Sequence, residues 1–360
     1  MKRWIYIAMI LITVLACEEI YRPTLDEVDN MLVVEAVLIS GQQSNTITLY
    51  KTKGFNKTDE AYQKVGGATV YLSDEDGKTI NCNESDQGVY SLNEVLDIQH
   101  SYSLTIELEG EIYVSDIQNV PDVPHMDTVY GQREYAVTVE GTANSSDDIT
   151  KEYGIRIYTD IDNNGNTSYY RFWGRKIIQY TDYYDTIING LPVQPRIYIW
   201  RSIYPNGVFN IGAPPQYSTS KDIKKHGLEF FSNNFNKFFP DTMNFEGWIY
   251  LIEQYGLNED TYNYYEQLNS QLGTDGRIFD PIYSQIKGNI RCTSDPTKTV
   301  LGNFEIASYA DTRYYLMYDQ FREEFKLKYI PYNYDIPYAG YIKMNMPDFW
   351  ESIYKIYPNE

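Results

Sequence analysis

Between Met31 and Ile117, apolar and polar positions alternate in short runs separated by turn residues. MLVVEAVLIS (Met31 to Ser40) and NTITLYKTK (Asn45 to Lys53) are rich in β-branched residues and flank a polar turn at Gly41 to Ser44, which predicts two strands. ATVYLS and KTINC flank DEDG, where Asp76-Gly77 suits a two-residue hairpin turn. Gly88-Val89-Tyr90 starts another short strand. In SYSLTIELEGEIYVSDI, Tyr102, Leu104, Ile106 and Leu108 fall on every second position, the period of a strand with one buried face, and Glu109-Gly110 turns the chain back. Short strands at this spacing predict a β-sandwich over residues 31–120, of immunoglobulin-like or carboxypeptidase-regulatory-like type. Pro121 and Pro124 in NVPDVPHMD mark its end.

Beyond that boundary, residues 125–360 read as a larger β-rich domain. DTVYGQ, AVTVEG, YGIRIYTDI, SYYRFWGRKIIQYTD, RIYIWRSIY, GWIYLIEQ, GNIRC and VLGNFEIASYADTRYYLMY all carry strand composition. One stretch has the helical period instead. In LNEDTYNYYEQLNSQLG, Tyr262, Tyr265, Leu268 and Leu272 share a face, Asn258 can cap the start, Glu259 and Asp260 suit the N-terminal dipole, and Gly273 can close the end. This predicts a helix near 258–272 packed on a sheet. The fold class is therefore mostly β with one or two helices, and the tail from Asp319 to Glu360 carries no clear period.

The N-terminus departs from both periods. Lys2 and Arg3 precede an apolar run from Trp4 to Ala16, too short for the roughly 20 residues of a spanning helix and suited to an export signal over residues 1–16. Val14-Leu15-Ala16-Cys17 resembles the lipobox of bacterial lipoproteins, in which cleavage precedes a cysteine that becomes acylated. Several acyl chains, each contributing about 0.8 kcal/mol per buried CH2, anchor a protein that one chain holds only marginally. Glu18 and Glu19 resemble the acidic signal that sends Bacteroidota lipoproteins to the cell surface, and residues 17–30 form a polar tether. The expected location is the outer membrane, through a lipid anchor, facing outward.

Composition narrows the remaining choices. Net charge −20 lacks the Lys and Arg clusters that nucleic acid requires, and it opposes electrostatic adhesion to anionic lipid. Of three cysteines, Cys17 is assigned to lipid, which leaves Cys82 and Cys292 as one disulfide or two free thiols. The 37 tyrosines suit strand surfaces and binding surfaces alike.

Candidate chemistry is sparse. Asp160, Asp162, Asn164 and Gly165 resemble the first half of a calcium loop, but the position needing a bidentate glutamate holds Arg171, so an Asx-rich turn is preferred and calcium is a side bet. Ser284 and Lys287 fit S-x-x-K without its companion elements. His100, His125 and His226 are far apart, with no zinc spacing, and no cofactor motif occurs. SYYRFWGR is the best candidate for recognition: strand alternation sends Tyr169, Arg171 and Trp173 to one face and Tyr170 and Phe172 to the other. One face is core, and the first set is the candidate ligand contact.

Taken in order, LVVEAVL, ITLYKTKGF, VGGATVYLSDEDG, GVYSL, YSLTIELEGEIYVSD, SYYRFW, WIYLIEQYGLNEDTYNYYEQL, GRIFDPIYSQIKGNI and VLGNFEIAS resemble the DUF4249 family of Bacteroidota lipoproteins. The resemblance implies an outer-membrane lipoprotein often encoded beside TonB-dependent receptors, hence a non-enzymatic accessory or ligand-binding role in nutrient uptake with such a receptor as partner. A structural or adhesive surface module is the alternative, and a glycan-active hydrolase comes third. The residues name no ligand.

Overall fold

The computed structural model describes residues 30–52, 62–140, 148–162, 167–183, 185–193, 196–205, 208–232, 244–272, 286–317 and 341–344. Among them the chain is mostly β, with one helix. Strands β1 (Leu32–Ile39), β2 (Asn45–Thr52), β3 (Tyr62–Lys64), β4 (Thr69–Asp74), β5 (Thr79–Asp86), β6 (Val89–Leu92), β7 (Ser101–Leu108), β8 (Glu111–Ser115) and β9 (Gln118–Asn119) precede the proline boundary. After it come β10 (Thr128–Glu140), β11 (Asp148–Ile161), β12 (Tyr169–Tyr183), β13 (Thr186–Ile188), β14 (Leu191–Val193), β15 (Arg196–Ile203), β16 (Asn210–Gly212), β17 (Ile223–Ser232) and β18 (Asn244–Leu257). Helix α1 (Glu259–Leu272), β19 (Ile290–Cys292), β20 (Val300–Met317) and β21 (Tyr341–Met344) complete the order.

The first half is a sandwich because its alternation is consistent. Leu32, Val34, Ala36 and Leu38 of β1 and Tyr102, Leu104, Ile106 and Leu108 of β7 all point into one core. Each fully buried aliphatic side chain there contributes about 1.5–3 kcal/mol. β5 turns the corner between the layers: Thr79 to Cys82 pair with β4, and Asn83 to Asp86 pair with β6. The β4–β5 hairpin turns at Gly77, and the β7–β8 hairpin turns at Glu109 and Gly110, both with positive φ.

This sandwich takes strands from the far end of the chain. β19 pairs with β8, and the first part of β20 lies parallel to β1, Leu32 opposite Val300 through Ile39 opposite Ala307. Ile290, Cys292, Phe304 and Ile306 enter the same core. The two motifs of the resemblance meet here. Asn289 accepts from the Phe304 N–H (2.8 Å) and donates to the Phe304 carbonyl (2.8 Å), so an asparagine side chain completes the open edge of β20. Gly302 has φ +92°, and a Cβ on it would strike the Val34 carbonyl, while a Cβ on Gly288 would strike the Gly302 carbonyl.

From Ser308 onward, β20 pairs antiparallel with β18 instead. The order continues β18, β12, β15, β21, with β16 also on β12. Against one face of this sheet packs the three-stranded sheet β10-β11-β17, enclosing Ile155, Ile157, Phe172, Ile178, Phe231, Trp248, Tyr250 and Leu316. DTVYGQ and AVTVEG, read as two strands, form the single strand β10, paired to β11 without a register break. The proline segment is pinned rather than free: the Asp122 carbonyl accepts from Ser308 Oγ (2.6 Å) and Thr167 Oγ1 (3.3 Å).

Candidate functional site

The opposite face of the β20-β18-β12 sheet carries Tyr169, Arg171 and Trp173, as alternation requires, but it is not open along its length. Helix α1 lies over it, with Val37 and Ile39 of β1, Leu257 of β18 and Ala307 of β20 beneath. Of the predicted helix stripe, Tyr265 is buried, Tyr262 and Leu268 are half-buried, and Leu272 is exposed. Asn258 begins the helix differently from the reading above. Its carbonyl accepts from the Tyr262 N–H, while its side-chain amide donates to Gln118 Oε1 (3.0 Å) and the Asn119 carbonyl (2.9 Å). It ties the helix to the boundary segment instead of capping free N–H groups.

Tyr169 packs against Tyr262 with tilted rings and centroids 5.1 Å apart. Arg171 is enclosed. Its Nη2 donates to Glu305 Oε1 (3.1 Å), Tyr265 Oη donates to Glu305 Oε2 (2.6 Å), and the guanidinium lies 4.5 Å over Tyr255 and 4.9 Å over Tyr265. Glu305 is 1% exposed and the Arg171 side chain 13%, so the pair is largely withdrawn from water. Burial works against the guanidinium charge, but Glu305 with Tyr265 and Tyr255 outweighs it and raises the Arg171 pKa. Burial, then Glu305, also pushes the Tyr265 hydroxyl far above its usual range. The expectation that Arg171 faces a ligand is corrected: alternation gives the side, but the helix closes it, and the arginine fastens β12, β20 and α1 together.

What stays accessible is the next cross-strand row. Trp173, 38% exposed, stands opposite Glu253, which stands opposite Asp311. The Glu253 carboxylate accepts from the hydroxyls of Tyr255 (3.0 Å) and Tyr309. Burial, then Glu253, pushes the Tyr309 hydroxyl up to about 12. The row offers a ring for stacking and carboxylates for accepting hydrogen bonds. Glu253 and Glu305 carried no signal in the sequence, because a carboxylate drawn into a packed site is recognisable only by partners far along the chain, and Tyr265 was legible as a core position of the helix but not as a partner of Glu305.

The other candidates disperse. Asp160 accepts from the Tyr130 hydroxyl (3.2 Å) and the Lys225 N–H (2.7 Å), and Asp162 pairs with Lys224. The calcium side bet is thus answered by protein groups at these two positions, and Asn164 lies outside the described residues, as does Ser284 of S-x-x-K. His100 contacts Glu75 (3.3 Å), His125 contacts Asp127 (3.6 Å), and His226 Nε2 lies 2.6 Å from Asn210 Oδ1, with burial lowering its pKa. Cys17, Glu18 and Glu19 lie outside the described residues.

The disulfide alternative is corrected. Cys82 and Cys292 are both free and buried. They occupy one cross-strand row, Cys82–Val70–Ile106–Tyr113–Cys292, with three strands between them. Four interstrand steps separate them by about 19 Å, whereas a disulfide needs Cα atoms within about 7 Å. Burial pushes the Cys82 thiol up to about 11.

A family model described as "Domain of unknown function (DUF4249)" matches residues 18–313. The chain belongs to the DUF4249 family. Compared with the curated proteins and with the solved structures, it matches none. The DUF4249 match runs through both halves, from before β1 almost to the end of β20, so the family unit includes the strand that joins them.

Proposed function

We propose that this DUF4249 chain is a Bacteroidota-type lipoprotein, acylated at Cys17, held at the outer membrane and turned to the cell surface by Glu18 and Glu19. It works without catalysis, as a ligand-binding or accessory protein in TonB-dependent nutrient uptake. The observation that carries the binding reading is the row Trp173–Glu253–Asp311 beside helix α1, where an exposed ring stands next to hydrogen-bond acceptors. Arg171, two residues before Trp173 on β12, is already committed to Glu305 and serves the fold. The lipobox supports the anchor, and the −20 charge leaves lipid as the sensible attachment.

The test is affinity purification of the acylated protein from its own membranes in mild detergent. Co-recovery of a TonB-dependent barrel, reduced by Trp173→Ala, is the expected result. Absence of any barrel protein across several detergents overturns the uptake reading. Loss of labelling by radioactive fatty acid in Cys17→Ala tests the anchor separately, and full protection from protease on intact cells would refute surface exposure.

A further inference from the structure

Among the described residues, strand β10 is an edge. In the sheet order β10-β11-β17 it has β11 on one side and no described strand on the other. It runs 13 residues without proline, and its pairing with β11 has no bulge. β17 stops at Ser232, opposite Gly154, so among the described residues β10 and β11 continue as a two-stranded ribbon. On that ribbon Tyr135 and Val137 are each 58% exposed, although they extend the side that faces the core nearer the base. Among the described residues, Tyr135 has only Tyr153 (centroids 4.6 Å) and the Lys151 ammonium (4.2 Å) over it. Natural edges are guarded by charged side chains, above all lysine, or by proline, bulges or short length; this strand is long, has no lysine, proline or bulge, and its charges are Arg133, Glu134 and Glu140.

The strand also selects its occupant. Residues 132–140, the stretch paired in a register centred on Ala136, carry Arg133, Glu134 and Glu140, a net charge of −1 in a chain of −20, and that register sets none of the three opposite another charge. Two copies of a strand pair antiparallel about a two-fold axis normal to the sheet, which sets residues of equal parity opposite each other. Centring on Arg133 or Glu134 opposes like charges. Centring on Ala136 sets each Tyr135 against the other copy's Val137, the aromatic and β-branched combination favoured across strands. The Gly131 N–H is taken by the Tyr314 hydroxyl, so the outward N–H groups belong to the alternate residues that include Tyr135 and Val137.

We propose that β10 pairs with β10 of a second copy, in the register centred on Ala136, joining two three-stranded sheets into one of six strands. With both copies anchored through Cys17 in one membrane, which rests on the proposed function, the two-fold axis stands along the membrane normal. The pairing requires nothing of the Trp173 row.

The experiment uses the full chain in its own membrane. Ala136→Cys lies opposite itself at about 4.5–5.5 Å between Cα atoms, within disulfide reach, and yields a disulfide-linked homodimer on a non-reducing gel. Gln132→Cys, on the same edge and face, is opposite position 140 and stays monomeric. Val137→Pro removes an outward N–H without touching the β10–β11 ladder, and it converts the detergent-purified chain from dimer to monomer in sedimentation while its thermal midpoint holds. A cross-link to a different protein, equal cross-linking at 132 and 136, no cross-link at 136, or a dimer that survives Val137→Pro would each overturn the proposal.

Discussion

At the scale of single residues, the buried charges are the most demanding feature. Arg171 and Glu305 are 134 positions apart and meet where Glu305 is buried and Arg171 nearly so. Removing one partner of such a pair costs about 3–5 kcal/mol, because the other stays buried and uncompensated. Glu305→Gln should therefore lower unfolding stability by several kcal/mol in urea titrations, whereas Arg171→Met combined with Glu305→Leu should recover most of it. Equal losses in the single and double variants would contradict this role. Tyr170 gives a pH signature. Burial, with Asp127 and Asp122 adding, pushes its hydroxyl up to about 12, against about 10 in the unfolded chain. A folded value above the unfolded one leaves the contribution intact below pH 10 and removes it as pH climbs through 12. The urea midpoint should fall over that range while tyrosinate absorbance rises, and Tyr170→Phe should fall less steeply. Alternation correctly divided Tyr169, Arg171 and Trp173 from Tyr170 and Phe172. It could not say that a helix from 90 residues on would cover two of the first three, since periodicity reports a side and never what lies over it.

At the scale of elements, strands and hairpins were legible where local rules suffice. The β4–β5 and β7–β8 turns sit where Asp76-Gly77 and Glu109-Gly110 place them, and α1 starts one residue after Asn258. Strand β17, with its Lys224-Lys225-His226 run, gave no period-two signal, and β10 was divided in two by Arg133-Glu134, whose charges are tolerated on a free edge. The contact between Gly288-Asn289 and Gly302-Phe304 was visible only as two motifs, because its meaning is tertiary. Asn289→Ala should cost about 1–3 kcal/mol by leaving the Phe304 N–H and carbonyl without partners. Gly302→Ala should cost more, since the positive φ and the Val34 carbonyl both resist a Cβ. Both costs would appear as lower urea midpoints, and wild-type midpoints would remove this account of the motif. In denaturant without reductant, thiol titration should count both Cys82 and Cys292 as free, whereas a value near zero would restore the disulfide.

At the scale of the whole molecule, the chain is less divisible than a boundary at Pro121 suggests. β20 spans about 60 Å at 3.3 Å per residue, serves the sandwich with its first part and the second sheet with its last, and lies under a helix that also covers β1. A segment ending at residue 120 lacks Ile290, Cys292, Phe304 and Ile306 from its core. No local pattern announces a parallel pairing across some 270 residues, which is why it was hidden in the sequence. The central claim is that the two halves form one cooperative body. It has well-separated reporters: apart from Cys17, both cysteines lie in the first core, while every tryptophan after residue 17 lies at or beyond position 173. Urea unfolding followed in parallel by thiol reactivity and tryptophan fluorescence tests it most directly. Coincident midpoints are the predicted result, and two separate transitions, one for each probe, would contradict it.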